Sequence, residues 1–236
     1  MIAVEAIGDE NWFSDYFFGE RDSPLLPNLR AFKAKSVLDI GCGDATTLLL
    51  MHYMLGVTTV EGVEGRSAEA VFQKIKDENA LNPEWTAFET LDDVWGNITT
   101  NDSCYNQRIA EASSRAKFME NVKFGTQIEE FEPKEGHYDA VICCHVMHYL
   151  DKRNIERVSN LINQRTHPSS LIYFSAKDGW KDGDKEPLLP GIDVLALCRT
   201  LKDELKDLGV VEYKGPKDSD QAQSYIFTNL GSITLP

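Results

Sequence analysis

Positive charge is scarce in this 236-residue chain: 24 lysines and arginines face 38 aspartates and glutamates, for a net charge of −14 at pH 7. Proteins that hold a long phosphate backbone do so with clustered Lys and Arg, so the deficit weighs against nucleic acid as a partner. The lysines that do gather, Lys177, Lys181 and Lys185, are interleaved with Asp178, Asp182, Asp184 and Glu186, the pattern of a solvated loop. Apolar runs of membrane length are lacking, and the N-terminal MIAVEAIGDE has neither the basic start nor the long apolar stretch of a signal peptide. A cytoplasmic location and no membrane partner are expected. The five cysteines, Cys42, Cys104, Cys143, Cys144 and Cys198, show no metal-ligand spacing, so reduced thiols and no bound metal are the expectation. The sequons at Asn97 and Asn101 are then chance matches. No repeat or low-complexity tract breaks the chain, and its length and 42% hydrophobic content suit a single domain over 1–236.

The most informative segment is Ser36 to Ala45, SVLDIGCGDA. Val37, Leu38 and Ile40 supply a buried strand, and Gly41 and Gly43 bracket a tight turn where a side chain would keep a ligand from the backbone. A long apolar helix, TTLLLMHYML, follows until Gly56, with Asp44 placed to cap its start. The run from Gly56 to Gly65 reads as a second strand, and Glu64 near its end stands 25 residues after Asp39. Adjacent parallel strands end side by side, so a carboxylate there can take both hydroxyls of a ribose. Glu61 is the competing candidate, and Glu64 is favoured by its place at the strand end. A dinucleotide fingerprint would need glycine or alanine at the position of Thr46, and Asp44 would repel a pyrophosphate at the helix start.

On these residues the chain resembles the class I S-adenosylmethionine-dependent methyltransferases. Asp39, Gly41 and Gly43 stand in the family's first motif, Ala45 takes its third glycine position, and Glu64 takes the place of its ribose acid. The resemblance spans roughly Ser36 to Asn229 and is most specific over the first two strands. It implies a Rossmann-like α/β fold: a seven-stranded mixed sheet, mostly parallel with the last strand antiparallel, and helices on both faces. It implies S-adenosyl-L-methionine as cofactor, with Asp39, Gly41, Cys42, Gly43 and Glu64 at its binding site. Gln127 and Ile128, after a third strand within Asn121–Phe131, take the place that reaches the adenine amino group, a glutamine amide accepting the bond an aspartate commonly does.

The segment YDAVICCHVMHYL, Tyr138 to Leu150, reads as a fourth strand turning into a polar mouth, and the resemblance puts His145 at the junction of cofactor and acceptor. His145 or His148 could act as a base on the acceptor; equally, either could simply fill the wall. The two stand three apart without a supporting ligand, which speaks against a metal. A nucleophilic cysteine of the cytosine C5 type would follow a proline, whereas Ile142 precedes Cys143, and buried inert thiols are the default. Trp12, Phe13, Tyr16 and Phe17 share a helical face, read as core packing or, by the resemblance, as an N-terminal lid over 1–35 with Tyr16 above the cofactor. Residues 81–117, with Trp85, Phe88 and Trp95, suggest an insertion over the site.

Towards the C-terminus, Ile155, Val158, Leu161 and Ile162 repeat with helical period after Asp151, SLIYFSA is a fifth strand, and VVEYKG and QSYIFTN form a closing antiparallel pair. The expected activity is methyl transfer to a small-molecule acceptor by in-line displacement. A protein or RNA acceptor, and a non-catalytic S-adenosylmethionine-binding regulator, are the other readings. Nothing in the sequence sets the oligomeric state.

Overall fold

Val37, Leu38 and Ile40 are buried to 1% exposure or less in strand β1 (Ser36–Ile40), at the centre of the sheet. The computed structural model describes residues 33–54, 56–78, 80, 88–100, 112–134, 136–144, 146–150, 152–178, 193–217 and 223–230. After β1 come helix α1 (Thr46–Met54), strand β2 (Thr59–Glu64), and helices α2 (Ala68–Glu78), α3 (Leu91–Thr100) and α4 (Ala112–Met119). Strands β3 (Val122–Phe124) and β4 (Tyr138–Cys144), helix α5 (Lys152–Arg165), strand β5 (Thr166–Asp178), helix α6 (Val194–Glu204) and strands β6 (Val211–Lys217) and β7 (Gln223–Thr228) follow.

The strands lie in the order β3-β2-β1-β4-β5-β7-β6. Pairings from β3 to β5 are parallel, and β7 runs antiparallel to both β5 and β6. This is the seven-stranded Rossmann-like sheet expected above. One face packs against α5 and α6, where Ile155, Val158, Leu161 and Ile162 are at most 1% exposed. Burying each such side chain contributes roughly 1.5–3 kcal/mol, enough to hold a helix whose other face is polar. The opposite face packs against α1, α3 and α4 through Leu48, Leu49, Met51, Trp95 and Phe118. Helix α1 is apolar nearly all round, and its described side chains Leu48, Leu49 and Met51 have no exposure at all.

Strands β3 and β5 differ from the sequence reading, while β4 ends where that reading has it. Strand β3 is only three residues long, because Gly125 turns the chain with φ +71°. Strand β4 stops at Cys144, and a short 3₁₀ turn, Met147–Tyr149, follows it. Strand β5 starts earlier than SLIYFSA, with an irregular pairing opposite Tyr138 to Ala140. The expected lid falls on residues outside the described ones, except for Lys33, Ala34 and Lys35 leading into β1. Of the 81–117 segment, α3 and part of α4 are described, and Trp95 is fully buried against α1.

Candidate functional site

Strand order reverses at β1, whose neighbours β2 and β4 connect to opposite sides, and a crevice forms beyond the carboxyl ends of these strands. The loop leaving β1 is shaped by sterics. Gly41 has φ +73°, and a Cβ there would lie 1.9 Å from Val146 Cγ2, so only glycine lets this loop pass beneath the segment after β4. The Gly41 and Cys42 N–H groups donate to the Val63 carbonyl at 2.8 and 3.1 Å, fastening the loop to the end of β2. Ala45 keeps the left-handed geometry of a third glycine, with φ +59°. That conformation costs alanine about 1–2 kcal/mol. Its methyl is fully buried in the cluster holding Leu48 and Trp95, and burial of one such group returns about 0.8 kcal/mol.

Asp44 sits at the start of α1. Its Oδ1 accepts the Thr46 N–H at 3.0 Å, and its carbonyl accepts Trp95 Nε1–H at 3.0 Å. A carboxylate therefore satisfies the helix-start donor that a pyrophosphate would need.

Beyond these strand ends lies a cavity of about 250 Å³. Ile40, Val63, Ile128, Val146 and Leu150 form its apolar walls, and Glu64, Arg66, Gln127, Tyr149 and Asn154 stand among them. Glu64 is 6% exposed. Its Oε2 accepts the Gly43 N–H at 3.0 Å, while Oε1 accepts the Arg66 backbone N–H at 3.1 Å and Arg66 Nε–H at 2.8 Å. Glu61 lies elsewhere: its Oε2 accepts the Tyr138 hydroxyl and the Lys134 N–H, and it has no place on the cavity wall.

Asp39, 4% exposed, is the third carboxylate of this corner. Burial, then the nearby Glu64 and Asp44 charges, push its carboxyl up to about 8. Burial likewise pushes the Cys42, Cys143 and Cys144 thiols well up and Cys198 to about 12, so at neutral pH none of these four supplies a thiolate. Among the described residues no group of three or more His, Cys, Asp or Glu is arranged to hold a metal ion.

Of the residues singled out from sequence, Gly41, Glu64, Gln127 and Ile128 share the cavity wall. Asp39, Cys42 and Gly43 are not on that wall: the Cys42 side chain faces Gly62, and the Gly43 N–H donates to Glu64. Gln127 is exposed, and its amide donates to the Gly65 carbonyl at 3.3 Å. Tyr16 and His145 lie outside the described residues, and for His148 only the backbone, within the 3₁₀ turn, is described. Arg66, Val146, Tyr149 and Asn154 are wall residues that sequence reasoning did not find. Arg66 had a signal, two residues beyond the ribose acid; the others depend on how the segment after β4 folds back.

The donor set fits an adenosyl group. Apolar walls suit a planar base, Glu64 offers carboxylate oxygens to a diol, and side-chain amides stand at the polar edge. The cluster of acids suits a sulfonium better than a phosphate. A family model described as a methyltransferase domain matches residues 20–184. No curated protein matches the chain. Among solved structures, the methyltransferase domain of bacterial CtHen1 is 15% identical, covering 89% of this chain and 97% of that one at a TM-score of 0.49. A SAM-dependent methyltransferase from Aquifex aeolicus is 13% identical, covering 92% and 93%, also at 0.49. The N-methyltransferase NodS from Bradyrhizobium japonicum is 15% identical, covering 94% and 98% at 0.44. With the family model spanning most of its length, this chain belongs to the methyltransferase-domain family, as a class I methyltransferase dependent on S-adenosyl-L-methionine.

Proposed function

We propose that this methyltransferase acts on a small molecule, with Glu64 holding the cofactor ribose and the segment after β4 facing the acceptor. The observation that carries the cofactor assignment is Glu64 at the cavity wall, bound to the Gly43 N–H across the strand ends. The net charge of −14 supports a small acceptor over a long polyanion. No helix of the described residues is long and apolar enough to cross a membrane.

The cofactor, when bound, supplies an electrophilic methyl group on a sulfonium. The chain's own part is alignment and exclusion of water. Gly41 brings the loop backbone to the cofactor, Cys42 and Gly43 shape the loop behind it, and Gln127 and Ile128 border the adenine. The acceptor's nucleophilic atom must lie in line with the breaking carbon–sulfur bond, and where it carries a proton, His145 or His148 accepts it. The 3₁₀ turn whose backbone includes His148 runs beside the cavity, with Val146, Tyr149 and Leu150 on its wall.

A metabolite screen that follows release of S-adenosylhomocysteine tests the acceptor. Turnover on a small molecule is the expected result. Turnover only on a protein or RNA would replace this reading, and tight cofactor binding without turnover on any acceptor would make the chain a regulatory binding protein.

A further inference from the structure

The hydrogen bonds of Glu64 leave it short of acceptor capacity for the role proposed above. An ionised carboxylate offers about four lone-pair sites. Three are taken by the chain itself: Oε1 by the Arg66 N–H and Nε–H, Oε2 by the Gly43 N–H. With the donors of the described residues counted, one remains, on Oε2. A ribose diol brings two donors, so one of the chain's own donors must yield. The Gly43 and Arg66 N–H groups belong to loops tied down by backbone bonds, Gly41 and Cys42 to Val63 on one side and Gly125 N–H to the Arg66 carbonyl on the other. The Arg66 side chain is 38% exposed, and its guanidinium can turn to solvent without moving the backbone.

We propose that the Arg66 side chain competes with the cofactor's ribose for Glu64, as a positioning residue that holds the carboxylate in place and lowers the affinity of every diol-bearing ligand. The inference rests on Glu64 being the ribose acid. Substrate cofactor and thioether product carry the same diol, so the competition loosens both and assists release of the product after each transfer. An exchange of this kind suits a pair in which Glu64 is buried and Arg66 reaches solvent, since the released guanidinium is rehydrated while two new hydrogen bonds form on the carboxylate.

Calorimetric titration of S-adenosylhomocysteine and its 2′,3′-dideoxy counterpart into the wild-type protein and Arg66→Gln tests the proposal. Neither ligand carries the sulfonium, so a change in pocket charge affects both alike. Arg66→Gln is expected to lower the Kd of the diol-bearing ligand about three- to fivefold, the range of an ion pair with one solvent-screened partner, and to leave the dideoxy ligand unchanged. Equal shifts for both ligands, no shift, or weaker binding of the diol-bearing ligand would each overturn the competition. Glu64→Gln, titrated in parallel, separates this from failure of the ribose assignment. If it binds both ligands as the wild type does, Glu64 is not the ribose acid; if it selectively loses the diol-bearing ligand while Arg66→Gln brings no tightening, the ribose acid stands and the competition falls.

Discussion

Asp39→Asn should remove a pH dependence of stability that the wild-type protein carries. The Asp39 carboxyl ordinarily titrates near 3.8, but burial and then the Glu64 and Asp44 charges push it up to about 8 in the folded chain. Between those values the folded protein holds a proton that the unfolded chain has released. Stability therefore falls as pH rises across this window, by at most about 1.4 kcal/mol per pH unit, and levels off above about 8. Across the whole window the ceiling is about 6 kcal/mol, and relaxation around a charged Asp39 should reduce the observed loss to roughly 2–3 kcal/mol. Asparagine keeps the shape and stays neutral, so the ramp disappears with it. Urea unfolding of both proteins from pH 5 to 9 isolates the effect, since other titrating groups are shared and cancel in the difference. The expected result is a stability advantage of Asp39→Asn over wild type that grows towards pH 8 and then flattens. A difference constant over that range would refute the burial argument.

Glu64→Gln should weaken S-adenosylmethionine binding by roughly 1.5–3 kcal/mol, the scale of hydrogen bonds to a charged group, and unchanged affinity by calorimetry would show the ribose acid misplaced. Gly41→Ala forces a side chain into left-handed backbone and against Val146, which should destabilise the fold by about 2–4 kcal/mol in urea unfolding. Adding Val146→Ala should recover part of that loss, and no recovery would mean that the backbone strain alone is responsible. His145→Ala and His148→Ala should lower kcat with cofactor Kd unchanged for whichever residue is the base; full activity in both would leave the acceptor deprotonated without either histidine.

The glycine loop and the second strand are legible in the sequence because their signals are local. In SVLDIGCGDA three apolar residues lead straight into the turn glycines, and right-handed crossover geometry brings a strand end, with Glu64, beside them. Helix α5 is equally plain, since Ile155, Val158, Leu161 and Ile162 repeat with the period of one face. Strand β3 is harder to delimit, because Gly125 ends it within a run that keeps its β-like composition. Trp95 could not be placed from its neighbours: its Nε1–H donates to a carbonyl 51 residues away, at Asp44.

By itself, then, the sequence determined the order of strands and helices, the glycine loop and the acid at the end of β2. These follow from hydrophobic period and from which residues tolerate a tight turn. Only the tertiary structure decided what surrounds them. Val146 sits so close to Gly41 that no side chain fits there, although more than a hundred residues separate the two in the chain. Burial and two neighbouring carboxylates raise Asp39, and donors from Gly43 and Arg66 converge on the Glu64 carboxylate. Distance, burial and competing donors belong to the folded arrangement, because they arise between segments that local spacing leaves independent.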